Sequence, residues 1–133
     1  MIDIENELFT MVKTAVQGQY PAALVMGSKL DTVTTFPAVS FVEVNNRSYQ
    51  RSRDSGGWEN HARVMYEVEV FSNCVGKKQE CKRIIDIIDT LLIKLGFNRL
   101  MSEPILNLRD LSIARRISQY EAVVGKNHVI YGG

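Results

Sequence analysis

The sequence has few of the residues that mark specialised protein classes. It contains two cysteines in 133 residues, which excludes a disulfide-stapled secreted scaffold and predicts reduced thiols. No apolar run approaches the roughly 20 residues of a membrane-spanning helix, so no membrane partner is expected. The first residues are acidic and lack the basic start and apolar stretch of a secretion signal, which favours a cytosolic protein.

An excess of charge of one sign is also missing. Sixteen Lys and Arg residues balance fifteen Asp and Glu residues, giving a formal net charge of +1. Such a balance supplies no whole-protein attraction to nucleic acid or to an acidic membrane surface. The length predicts one domain, residues 1–133, with a hydrophobic core of its own.

Motifs for metal binding are lacking. The soft ligands are two cysteines and two histidines: Cys74, Cys81, His61 and His128. The cysteines have no Cys-x-x-Cys spacing, and the histidines are far apart in the sequence. Cys81 falls on the apolar side of a predicted helix, which favours a core position over a ligand. We therefore predict no metal site.

Catalytic motifs are lacking as well. The chain contains neither a Gly-x-Ser-x-Gly nucleophile elbow nor a Gly-x-x-x-x-Gly-Lys phosphate loop. Asp86 and Asp89 are three residues apart on a predicted helix and would project as neighbours. Paired carboxylates can perform acid–base chemistry in a cleft, but solvated side chains are the usual outcome on a polar helix face. We predict no enzymatic activity and no cofactor.

The chain does contain a strong strand-then-helix pattern at residues 60–97. From Val64 to Phe71 the side chains alternate, with Val64, Tyr66, Val68 and Val70 on one face and Met65, Glu67, Glu69 and Phe71 on the other. The period then changes to that of a helix whose apolar side consists of Cys81, Ile84, Ile85, Ile88, Leu91, Leu92 and Leu95. Gly96 is placed to end this helix in a left-handed conformation. The helix requires a sheet to cover its apolar side.

The remaining elements complete an α+β fold. Residues 4–16 show the spacing of an amphipathic helix, which Gly18 and Pro21 are expected to end. Residues 22–26 suggest a short strand, residues 37–44 a strand paired with 64–71, and residues 111–124 a long strand. Residues 128–131 suggest a short return strand. Grouped strands predict an antiparallel sheet of about four strands with both helices packed on one face.

The opposite face of that sheet has to contain apolar residues. Met65 and Phe71 lie there by alternation, together with either Val39 and Phe41 or Val42 and Val44. A monomer with helices on one side would leave this set in water, and a continuous apolar patch marks an interface. We therefore expect self-association.

Residues 45–59 form an unusually long, polar connection between two strands that could pair as a hairpin. Hairpin loops usually have two to five residues, and longer ones tend to be functional or disordered. The loop mixes basic and aromatic side chains: Arg47, Tyr49, Arg51, Arg53 and Trp58. Single-strand nucleic-acid surfaces use this mixture, and so do protein interfaces. Asp54 and Glu59 dilute the charge, which favours a protein-contact loop.

Two further charged groups have open interpretations. Basic residues gather where the second helix begins, at Lys77, Lys78, Lys82 and Arg83. They form either a solvated face or a docking patch for an acidic partner. Glu67 and Glu69 either pair across strands with Arg115 or Arg116, or the four line a lumen or an inter-subunit face.

Taken in order, a set of residues resembles the small tail terminator (tail completion) proteins of tailed bacteriophages and prophages. The set is Phe36-Pro37-Ala38-Val39-Ser40, Glu43, Asn45, Asn60-His61-Ala62, Tyr66-Glu67-Val68, Phe71-Ser72-Asn73, Gly76-Lys77-Lys78, Glu80-Cys81, Leu95-Gly96-Phe97, Arg99, Pro104, Asn107, Asp110, Arg116, Tyr120 and Ile130-Tyr131. The resemblance covers nearly the whole chain, and its motifs are structural.

This resemblance implies a non-enzymatic virion protein, assembled in the host bacterial cytoplasm. Members of the family form a ring, usually hexameric, at the head-proximal end of the tail tube. The ring stops tube polymerisation and joins the tail to a head-completion or connector protein, and DNA passes through its lumen. The family's hairpin loop reaches toward tail tube subunits, which would assign residues 45–59 to that contact. The alternatives are a head-closure or connector protein of the neck, and a small nucleic-acid-binding domain that uses Arg47, Arg51, Arg53 and Trp58.

Overall fold

Two helices and a five-stranded sheet make up the fold. The computed structural model describes residues 1–48, 61–107 and 109–132. In chain order the elements are α1 (Glu5–Gln19), β1 (Leu24–Met26), β2 (Ala38–Ser48), β3 (His61–Ser72), α2 (Lys77–Leu95), β4 (Asn98–Ile105) and β5 (Ala114–Gly125). No helix in these described ranges is long and apolar enough to cross a lipid bilayer.

The strand order in the sheet is β1-β2-β3-β5-β4. The predicted α+β class and the predicted pairing of β2 with β3 are confirmed. The sheet is mixed, however, because β1 pairs with β2 in parallel, whereas all other pairs are antiparallel. The residues between β1 and β2 bring the chain back to the end of the sheet where β1 begins, as a parallel pair requires.

The strands differ from the sequence prediction in several places, including the start of β5 at Ala114 rather than at residue 111. Strand β2 continues to Ser48 after a bulge at Val44, so the predicted loop begins later than residue 45. Strand β4, which contains Pro104, is not among the predicted elements. It is an edge strand, where a missing amide donor costs no ladder hydrogen bond.

Both helices pack on the same face of the sheet, as predicted. Their buried side chains are Leu8, Val12 and Val16 of α1 and Cys81, Ile84, Ile85, Ile88 and Leu92 of α2. The facing sheet residues include Val39, Phe41, Val64, Tyr66, Val68 and Val70, all fully buried. The rings of Phe41 and Tyr66 stack with centroids 5.0 Å apart. One core therefore joins both helices to the central strands.

The helices run antiparallel. Ile4 and Leu8, at the start of α1, line the same depression as Leu95, at the end of α2. At the opposite end, Arg83 of α2 donates to the hydroxyl of Tyr20, which follows α1. The N-terminus of each helix is therefore beside the C-terminus of the other.

The C-terminal residues lie beside the end of β5. Val123 exchanges backbone hydrogen bonds with Tyr131 and Gly132, at 2.8 and 2.7 Å. The predicted return strand of residues 128–131 is reduced to one bridge, between Val124 and Ile130. This tail occupies the position next to β5 that lies beyond the end of β4.

Candidate assembly interface

The sheet face opposite the helices, called here the open face, is formed by alternate residues of the strands. The register aligns Val42, Glu67 and Gln119 in one row. Ser40 and Glu69 lie in the next row, and the Ser40 hydroxyl donates to the backbone oxygen of Ser28 at 3.0 Å. The segment between β1 and β2 therefore crosses part of this face.

Two carboxylates lie at the centre of the open face. Glu67 and Glu69 are each only 8% exposed. Lys29 forms an ion pair with Glu67 and lies 3.7 Å from Glu69, and Arg115 forms an ion pair with Glu69. Gln119 donates to the second oxygen of Glu67 at 3.0 Å. The two negative charges are therefore compensated within the chain.

The pKa values of this group follow from the same contacts. Burial alone would raise the pKa of Glu67, but hydrogen bonds from Lys29 and Gln119 outweigh it and hold the value below its usual range. The hydrogen bond to Glu67 raises the pKa of Lys29. Both groups are therefore charged at neutral pH.

The expectation of a continuous apolar patch on this face is corrected by the structure. Met65, Phe71 and Val42 do belong to the open face, whereas Val39 and Phe41 face the helices. Phe71 is only 3% exposed, and the Arg115 guanidinium lies over its ring, 4.9 Å from the ring centroid. Charged side chains in the middle of the face interrupt the apolar surface.

A groove borders the open face beside Phe71 and Arg115. It has a volume of about 470 Å³ and lies between residues 30–33 and residues 106–115. Leu30, Val33, Leu106 and Ile113 contribute apolar surface to its lining. Leu106 is 69% exposed, and nearby Leu111 is 67% exposed. Large apolar side chains this exposed at a concave surface are typical of protein contact sites.

The predicted charged group is only partly brought together. Glu67, Glu69 and Arg115 share the open face, but Arg116 does not join them, because adjacent strand residues point to opposite faces. Arg116 lies on the helix side, where its Nε donates to the Ser102 hydroxyl at 3.1 Å.

The predicted docking patch lies along the start of α2. Lys78, Lys82 and Arg83 are exposed, and Lys77 is half-buried. Among the four, Arg83 has a described side-chain partner, the Tyr20 hydroxyl at 3.4 Å. Lys82 also lines a depression that it shares with Arg99 and Arg116.

The predicted tube-contact loop lies largely outside the described residues. Tyr49, Arg51, Arg53 and Trp58 fall there, so no position is assigned to them. Arg47 belongs to β2, is exposed, and pairs in register with Arg63.

The polar residues that were considered as catalytic groups or metal ligands make contacts within the fold. His128 contacts Glu7 at 2.6 Å, His61 packs against the Tyr131 ring, and Cys81 is buried under the sheet. Asp89 accepts from Arg99 and from the Tyr120 hydroxyl. In the part of the chain that the structure describes, no group of three or more His, Cys, Asp or Glu side chains could hold a metal ion.

Sequence reasoning missed Lys29, Gln119 and Arg99. Lys29 lies in a loop 38 residues before Glu67, and no local pattern connects the two. Gln119 becomes a partner of Glu67 only through the β3–β5 register. Arg99 was named only within the resemblance and given no partner, because β4 was not recognised as a strand.

No model of a known protein family matches the chain, and a comparison with curated proteins found no match either.

Proposed function

We propose that this chain is a non-enzymatic structural subunit of a phage virion. In this proposal it forms a ring, six-membered as in the family it resembles, that caps the head-proximal end of the tail tube. Its partners are further copies of itself, the tail tube protein and a head-completion or connector protein. DNA would only pass through the lumen.

The observation that carries the proposal is the amphipathic surface on the side without helices. An open sheet face with compensated charges adjoins a groove whose lining includes Leu106, which is 69% exposed. Protein interfaces combine apolar contacts with hydrogen-bonded polar groups, and this surface offers both side by side. The arrangement of two helices on one face of a sheet also agrees with the fold implied by the resemblance.

The internal ion pairs add a second argument. A surface that has to be covered by a partner cannot contain unpaired buried charges without a large desolvation cost. Lys29 and Arg115 remove that obstacle at Glu67 and Glu69 before any partner arrives.

The test is assembly of the purified chain, alone and with the tail tube protein from the same genome. Light scattering and negative-stain imaging should show rings with a central hole, and added chain should limit tube length. A strictly monomeric chain that leaves tube length unchanged contradicts the proposal. Copurification with tailless heads would instead assign the chain to the neck.

Leu106→Asp is the matched variant for the groove. A charge in place of an exposed leucine at an apolar contact should reduce ring formation or tube capping by about tenfold or more, since burying an unpaired charge is costly. Val129→Asp is the control, because Val129 is also exposed but lies in the turn after β5. Equal effects of both substitutions would remove the groove from the interface.

A further inference from the structure

A depression on the helix side of the sheet concentrates positive charge. It has a volume of about 340 Å³ and is lined by Lys82, Ile85, Asp86, Arg99, Ser102 and Arg116. The three cations come from α2, β4 and β5, which are separate parts of the sequence. They face one carboxylate in the lining, that of Asp86. We call this depression the basic pocket.

The two arginines of the basic pocket are held in place. Arg99 donates to Asp89 at 3.1 Å, and Asp89 also accepts from the buried Tyr120 hydroxyl at 2.8 Å. Arg116 donates from Nε to the Ser102 hydroxyl and from Nη2 to the Ser102 backbone oxygen. Pre-organised guanidinium groups lose little entropy when they bind a carboxylate.

Some positively charged donor groups of the pocket have no partner among the described residues. Lys82 makes no ion pair with any described residue and is exposed. The Nη1 atom of Arg116 has no hydrogen-bond partner within the described ranges. The pocket is therefore equipped to accept carboxylate oxygens from outside the chain.

The same chain carries a matching group of acids, called here the acidic corner. Asp3, Glu5 and Glu7 lie at the start of α1, and Glu43 lies beside them on β2. Glu5 accepts a hydrogen bond from the Glu43 backbone at 2.9 Å. Burial raises the pKa of Glu43, and the negative charges of Glu5 and Asp3 raise it further, which reflects their proximity.

The basic pocket and the acidic corner lie toward opposite edges of the helix side of the sheet. A row of paired residues crosses the sheet from Glu43 through Tyr66 and Tyr120 to Arg99. Three strand spacings separate its ends, or about 14 Å. Along the helices, the acidic corner is at the N-terminus of α1, and Lys82 is near the N-terminus of the antiparallel α2. The chain cannot join these two surfaces to each other.

We propose that the basic pocket receives the acidic corner of a second copy of this chain. Lys82, Arg99 and Arg116 of one subunit would bind carboxylates of the Asp3, Glu5 and Glu7 group of the next. Two different surfaces meet in such a contact, so each subunit keeps one free surface of each kind. Contacts of this heterologous type propagate and close into a ring when the rotation between subunits allows it.

The inference rests on the proposed function only for ring closure. The charge-matched contact between copies is a separate claim that self-association measures directly. The double charge exchange is its sharpest test, since it reverses one charge on each surface and restores an oppositely charged pair.

The experiment uses sedimentation velocity of the full chain at low and high salt. Lys82→Glu and Glu7→Lys should each weaken self-association about tenfold or more, because each places like charges together. The double variant Lys82→Glu/Glu7→Lys should recover much of the loss, and an equimolar mixture of the two single variants should associate as well. High salt should weaken wild-type association. Lys13→Glu, which changes the same charge at an exposed position of α1, should have little effect.

Thermal unfolding separates assembly defects from folding defects. Lys82 and Glu7 are exposed, and the contact of Glu7 with His128 is a surface pair that contributes little to stability, so both variants should melt near the wild-type temperature. Glu7→Gln serves if Glu7→Lys does not.

Four results would overturn the proposed contact. The first is wild-type association that neither charge reversal changes; if such a chain still caps tubes, the proposed function survives without this contact. The second is a double variant no better than the single ones. The third is binding to single-stranded DNA that Lys82→Glu abolishes while self-association is unchanged, which would assign the pocket to phosphate groups. A chain that is monomeric even at low salt also excludes the contact, and tube length then decides the proposed function independently.

Discussion

Individual carboxylates in this chain differ in function according to the face of the sheet they occupy. Glu67 is nearly buried on the open face and compensated by Lys29 and Gln119. Glu43, on the helix side, accepts from the Tyr66 hydroxyl at 3.1 Å and lies near other acids. The pKa of Glu67 is lowered and that of Glu43 is raised. Acidification therefore removes folding stability at Glu67 and adds it at Glu43.

Glu67→Gln should reduce the acid sensitivity of folding. A lowered native pKa contributes stability that is fully present above the ordinary value of 4.5 and is lost as pH falls through the native value. Removing that group should flatten the dependence of unfolding free energy on pH between about pH 7 and about pH 3. Urea unfolding at several pH values measures this pH dependence of the unfolding free energy.

Glu103→Gln is the control for that measurement, because Glu103 lies on β4 and is exposed. An acid dependence that is the same in the wild type and in Glu67→Gln would contradict the assigned contribution of the Lys29 pair.

Two glycines have different structural roles because they occupy different positions in their helices. Gly18 and Pro21 were expected to end α1, and the helix passes through Gly18 to Gln19 and ends at Tyr20, the residue before Pro21. The residue before a proline disfavours helical geometry, which accounts for this end point. Gly96 does end α2, with a φ of 109° and backbone hydrogen bonds to Ile93 and Leu92.

Substitution of these glycines by alanine should have opposite effects on stability. Gly96→Ala should lower the free energy of unfolding by about 1–2 kcal/mol, because a Cβ is strained at this φ. The Ile130 side chain, 3.1 Å from the new Cβ, adds to the cost. Gly18→Ala should raise the free energy by about 0.5 kcal/mol, because the position is helical and open. Chemical denaturation of both variants checks the signs, and a neutral Gly96→Ala would refute the strain argument.

At the scale of the whole molecule, one continuous core links both helices to the central strands. Cys81 lies in that core, with its thiol 3.6 Å from the backbone oxygens of Val70 and Ala114. Burial raises the pKa of Cys81 to about 11, whereas Cys74 is exposed. The Cys74 thiol is therefore accessible in the folded chain, whereas the Cys81 thiol becomes accessible only when the core opens.

Alkylation with iodoacetamide at about pH 8 should modify Cys74 rapidly and Cys81 about a thousandfold or more slowly. The Cys81 thiol reacts only when the core opens, and the free energy of global opening sets that population. Mass spectrometry over time measures both rates, with a Cys74→Ser variant isolating Cys81. Comparable rates for the two thiols would show that the core opens locally at α2.

The sequence alone determined the amphipathic elements, because the periods of 2 and 3.6 residues are local properties of the chain. The faces of β3, the apolar side of α2, the Gly96 stop and the α+β class all followed from such spacing. The sequence did not reveal the parallel β1, the edge strand β4 or which of Arg115 and Arg116 shares a face with Glu67 and Glu69. Those features depend on register and on contacts between distant segments.

Only the tertiary structure brought Lys29 to Glu67 and gathered Lys82, Arg99 and Arg116 around one depression. Pairing between residues tens of positions apart is decided by how strands align and where loops cross, and no local period encodes either.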